Sequence, residues 1–131
     1  MPSRNLNAPG AAVVAALGLL ATPAQADMDW AVIGYKTVSS GGDTDIINVT
    51  DSRMFRSVRL CVFGRGVHLN DFDVTFGNGR SQALNVRDNI LPGTCTRAID
   101  LKGNRRNIDR IRLSYRRLPG DGAPLVRVQA R

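Results

Sequence analysis

The sequence predicts an all-β fold, an antiparallel two-sheet sandwich (or a barrel-like closure) of about seven to nine short strands. Three observations predict it. Beyond residue 26, apolar and polar residues alternate, and no stretch keeps an apolar stripe at helical spacing over three turns. The alternating runs are short and are separated by clusters of Gly, Asn and Pro. Glutamate is absent and only two lysines, Lys36 and Lys102, are present, which removes two strong helix formers.

Residues 30–38 (WAVIGYKTV) read as a first strand interrupted by Gly34, and 45–49 as a short second one. In 56–63, Val58, Leu60 and Val62 share one face while Arg59, Cys61 and Phe63 share the other. In 71–76, Phe72, Val74 and Phe76 point inward and Asp71, Asp73 and Thr75 outward. Residues 81–86 carry Leu84 and Val86, and 96–101 carry Ile99 and Leu101. In 109–115, Ile111, Leu113 and Tyr115 oppose Arg110, Arg112 and Ser114. Residues 125–130 close the series with Val126 and Val128 inward and Arg127 outward. Between these runs, Gly77-Asn78-Gly79 is a hairpin signal, because Gly and Asn tolerate positive φ. Fourteen inward positions form the predicted core. Each contributes about 1.5–3 kcal/mol when fully buried, against a backbone entropy cost of about 1–2 kcal/mol per residue.

The chain has 131 residues, enough for one domain. Residues 1–26 read as a secretory signal peptide, with Arg4 before the eleven-residue apolar run AAVVAALGLLA and Ala24-Gln25-Ala26 as the cleavage pattern. The run is too short to span a bilayer, which takes about 20 apolar residues. Cleavage after Ala26 leaves a single domain, 27–131, periplasmic or secreted, with no transmembrane segment expected. Export places Cys61 and Cys95 in an oxidising compartment, and two cysteines allow one intramolecular disulfide.

Composition narrows the chemistry. One histidine and two cysteines cannot make a four-ligand zinc site. His68, with Asp71 and Asp73 nearby, is the one conceivable general base, but no nucleophile motif accompanies it. Asn70, Asp71 and Asp73 resemble the start of a calcium loop but lie on a predicted strand and lack the closing acid. Asp43 and Asp45 follow a Gly-Gly turn, and turn chemistry accounts for Asp43. No catalytic residue, metal or cofactor is therefore expected.

The arginines are more informative. Lys+Arg number 18 against 11 Asp, a formal net charge of +7. Arg110, Arg112 and Arg116 fall on one outer parity. Arg127 lies on the following strand, expected to pair with theirs, and Arg59 faces outward on its own strand. Together the five predict an anion-binding face, since guanidinium forks match carboxylate, sulfate and phosphate. The expected partner is an anionic glycan, a lipid headgroup or an acidic protein. Nucleic acid is not expected, because export argues against it and no stacking aromatics accompany the charges. The competing account is a solvated face with Arg opposite Asp across strands, on a structural or protein-interaction sandwich without a ligand site.

The strand RSVRL (56–60), VHLNDFDVTFGNG (67–79), SQALNV (81–86), TRAIDL (96–101) and IDRIRLSY (108–115) resemble the YaaI-like family of small secreted bacterial proteins. The resemblance implies a signal peptide followed by a compact all-β domain. The family has no assigned biochemical function, so no site residue is carried over.

Overall fold

The computed structural model describes residues 29–38 and 44–131; the predicted signal peptide and Asp43 lie outside them. The chain divides into two units, Met1–Trp30 and Ala31–Arg131, and every described strand lies in the second. These strands are β1 (Ala31–Thr37), β2 (Thr44–Asn48), β3 (Met54–Phe55), β4 (Ser57–Phe63), β5 (Val67–Phe76) and β6 (Ser81–Ala83). They continue with β7 (Asp88–Ile90), β8 (Thr94–Cys95), β9 (Ile99–Asp100), β10 (Arg106–Arg117) and β11 (Leu125–Ala130). No helix occurs among the described residues, so none there is long and apolar enough to cross a membrane.

The fold is the two-sheet antiparallel sandwich, not closed into a barrel. A five-stranded sheet runs β8-β4-β11-β1, with β9 also on β4. A six-stranded sheet runs β2-β10-β5-β6, with β3 on β10 and β7 on β5. Register aligns the inward faces: Val126 lies opposite Val62 and Val128 opposite Leu60 in one sheet, and Ile111 opposite Val74 and Leu113 opposite Phe72 in the other. All fourteen predicted core residues are buried, in one cluster fed by both sheets.

Three departures from the predicted elements have local causes. The 81–86 strand stops at Ala83 because Asn85 takes a left-handed backbone (φ 54°), although Leu84 and Val86 still reach the core. The 71–76 strand begins earlier, at Val67, because a bulge leaves Asn70 without a partner opposite and lets Val67 and Leu69 turn inward. β3, β7 and β8 are two or three residues long, too short to show a period.

One expectation about pairing is corrected. β11 does not pair with β10. It lies between β4 and β1, while β10 lies between β2 and β5 in the other sheet. The connection between β10 and β11 therefore crosses from one sheet to the other instead of closing a hairpin.

Candidate functional site

This crossing divides the five predicted anion-binding arginines. Arg110, Arg112 and Arg116 project from the outer face of the six-stranded sheet, and Arg59 and Arg127 from the outer face of the five-stranded sheet. They do not form one patch.

On the six-stranded face the arginines have acidic neighbours. Arg112 lies opposite Asp73 in register, and its Nη1 is 3.3 Å from Asp73 Oδ2. Arg110 Nη1 is 3.4 Å from Asp109 Oδ2. Both pairs are solvent-exposed, where such bridges contribute about 0–1 kcal/mol. Arg116 sits opposite His68. His68 Nδ1 is 2.6 Å from Asn89 Oδ1, so an amide occupies the place a catalytic histidine gives to an orienting carboxylate. Asp71 faces Ser114 across the strands, and Asp73 is held by Arg112. Among the described residues no group of three His, Cys, Asp or Glu side chains is placed to hold a metal ion.

The five-stranded face differs. Its outward rows follow from the register of β4, β11 and β1. Arg127 lies between Cys61 and Tyr35. On one side of that row lie Phe63, Leu125 and Thr37; on the other, Arg59, Gln129 and Val32. None of these nine positions is acidic. The Arg127 guanidinium sits over the Phe63 ring, 4.6 Å from its centroid, as a cation–π contact. Arg59 Nε donates to Gln129 Oε1 at 2.7 Å. Cys61 and Cys95, opposite each other on β4 and β8, form the disulfide, which fills the space beside Arg127.

Tyr35 was not among the predicted site residues. It is 69% exposed and Val32 is 48% exposed, both unusual for large apolar-bodied side chains on a strand. A strict period of two places Val32 and Tyr35, three residues apart, on opposite faces. A β-bulge defeats that parity: Val128 pairs with Gly34 and Gln129 with Val32, leaving Ile33 without a partner opposite. Ile33 is buried, Gly34 abuts Ile47 of β2, and Val32 and Tyr35 both emerge on the outer face. The one sequence signal for this was Gly34, since an isolated glycine in a strand marks a bulge or a close approach. Val32, Tyr35, Leu125 and Arg127 line a shallow depression of about 280 Å³.

Two other polar groups are structural. The Tyr115 hydroxyl donates to Asp45 Oδ2, and Lys36 Nζ lies 4.0 Å from the other carboxylate oxygen. Burial, then the hydrogen bond and charge of Asp45, push the Tyr115 phenol well above its ordinary range. At one end of the sandwich, Arg106 lies over the Phe76 ring beside a depression lined also by Met54 and Asn78. Its donors are already engaged by the Lys102 carbonyl at 2.9 Å and Asn78 Oδ1 at 3.4 Å.

A model for a domain of unknown function, DUF2541, matches residues 11–128. No curated protein matches the chain at a significant level. Among solved structures, an alpha-L-fucosidase candidate from Bacteroides ovatus is 18% identical, with a TM-score of 0.51 over 97% of this chain. The chain spans only 23% of that protein's length. Pseudomonas aeruginosa AlgX is 8% identical, with a TM-score of 0.45 over 96% of this chain and 33% of its own. A family 29 carbohydrate-binding module in complex with cellulohexaose is 18% identical, with a TM-score of 0.35 over 77% of this chain and 89% of its own. The first likeness concerns the fold alone, and the other two are too distant to bear on function.

Proposed function

We propose that this chain, which belongs to the DUF2541 family of domains of unknown function, is a non-catalytic binding module that takes an anionic ligand on the outer face of β4, β11 and β1. The observation that carries the reading is the charge contrast between the surroundings of Arg110 and Arg112 and those of Arg127. Arg112 and Arg110 sit beside Asp73 and Asp109, whereas the rows holding Arg59 and Arg127 contain no acid. Arg127, with no acid among the strand positions around it, attracts anions over several ångströms, and its guanidinium fork fixes their orientation. The settings of His68, bonded to the Asn89 amide, and of Asp73, paired with Arg112, support the non-catalytic reading.

The same reading has residues 1–26 removed as a signal peptide and the domain acting in the periplasm or outside the cell, in keeping with the resemblance to the YaaI-like secreted proteins. N-terminal sequencing of the exported protein then begins at Asp27; a cytoplasmic protein that retains Met1 sinks this part.

Binding of the full chain to immobilised polyanions at low and high salt tests the ligand reading. Arg59→Ala with Arg127→Ala weakens binding by about tenfold or more, equivalent to about 1.4 kcal/mol. Arg110→Ala with Arg112→Ala, which removes the same charge from the other face, changes it by less than about twofold. Equal losses from both pairs reduce the effect to net charge and defeat the proposal, as does absence of binding at low salt.

A further inference from the structure

We propose that the depression between Tyr35 and Arg127 seats an acidic polysaccharide, with a sugar ring lying on the Tyr35 side chain and its carboxylate or sulfate on the Arg127 guanidinium. This inference rests on the anion-binding reading above and narrows it to a ligand class. Three features of the face select that class.

Tyr35 presents an exposed aromatic body on a flat sheet surface, directly opposite Arg127 in register. An exposed aromatic offers a large, rigid contact area at small entropic cost, together with a hydroxyl that can hydrogen-bond. Val32 and Leu125 extend the apolar floor. A pyranose ring has an apolar C–H face and a rim of hydroxyls, so it matches an apolar floor with a polar border. A polyphosphate has no such face, and a lipid would leave the floor shallow against its chains.

Arg127 carries no salt bridge among the described residues and is steadied over Phe63 at 4.6 Å. A guanidinium already held by a ring loses less freedom on binding an anion than one waving in solvent. No acid stands in the surrounding rows to repel the ligand. The charge of the ligand is therefore fixed as negative.

The platform is also supported from beneath. β11 is bonded on both flanks, to β4 and β1, and its alternate residues Val126 and Val128 are fully buried. Spacing between Arg127 and Tyr35 is thus set by the sheet and not by a loop.

Affinity electrophoresis or calorimetry on the full chain at low salt tests this with polygalacturonate, dextran sulfate, neutral dextran, polyglutamate and phosphatidylglycerol vesicles. At least one of the two acidic polysaccharides binds at least about tenfold more tightly than dextran, polyglutamate or vesicles, and which of them binds distinguishes a carboxylate from a sulfate ligand. Tyr35→Ala weakens that binding by about tenfold and Tyr35→Phe largely keeps it. Arg127→Ala weakens it similarly and Arg127→Lys restores it only in part. Both positions lie on the outer face, and unchanged thermal midpoints confirm that the variants fold. If polyglutamate or vesicles bind as tightly and Tyr35→Ala has no effect, the sugar assignment falls while the anion reading stands. If neutral dextran binds equally and Arg127→Ala has no effect, the acidic class falls. If no polyanion binds, both readings fall together.

Discussion

Gly34 shows how one position can tie two sheets together. A Cβ there would overlap Cγ2 of Ile47, which reaches across from β2. Gly34→Ala should therefore destabilise by about 1–3 kcal/mol through overpacking. Combining it with Ile47→Ala should cost less than the sum of the single changes, with a coupling of about 0.5–3 kcal/mol in urea denaturation. Strictly additive effects would show that the two residues do not compete for the space. Tyr115 makes a different prediction. Its phenol is raised above the usual value of 10.0 by burial and by Asp45, so the neutral form belongs to the folded state. That contribution is complete below the unfolded value and is lost as pH climbs past it, so stability should fall in alkali above about pH 10. Tyr115→Phe should remove that part of the alkaline slope, and should cost about 1–3 kcal/mol at neutral pH by leaving the Asp45 carboxylate without its donor. The sequence places Tyr115 on the face of Ile111 and Leu113, but not among the fourteen predicted core residues, and the structure buries it fully. The sequence did not reveal the acid beneath it, because Asp45 lies 70 positions away.

Among the elements, legibility followed unbroken alternation more than length. β11 is legible with both its ends, since it alternates over six positions, and β1 to within a residue although its bulge breaks the alternation. β10 was recognised in its centre but extends to Arg106 and Arg117, because the bulge beside Asp109 shifts parity near its start. The two-residue β8 is held to β4 by backbone pairing and by a covalent bond. Cys95 is bonded to Cys61 on β4, closing a loop across a separation of 34 residues. In the chain-entropy model such a closure stabilises by about 4 kcal/mol. Replacing both cysteines by serine, or adding a reductant, should lower folding stability by about 2–5 kcal/mol. A denaturation midpoint that does not respond to reductant would contradict this. Because the bridge also packs beside Arg127, its loss should loosen the outer face of the same sheet.

At the scale of the molecule, the sheet order decided which arginines meet, and sequence could not supply it. Parity correctly turned Arg59, Arg110, Arg112, Arg116 and Arg127 outward, but outward means two opposite directions in a sandwich. Short connections favour neighbouring strands, and that expectation failed at the link between β10 and β11. Independence of the two faces is measurable. Arg112→Ala and Arg127→Ala share no partner, so their effects on stability should add to within about 0.5 kcal/mol. Non-additivity beyond that would mean that the faces communicate through the core. The position of β1 has one more consequence. Among the described residues it is hydrogen-bonded along one flank only, to β11, while β11 is clasped on both. Amide protons of Ala31–Thr37 should thus exchange with deuterium sooner than those of Leu125–Ala130. A saccharide bridging Tyr35 and Arg127 would staple the lip of the sheet to its neighbour, and its arrival would be recorded as slower isotope uptake along that rim.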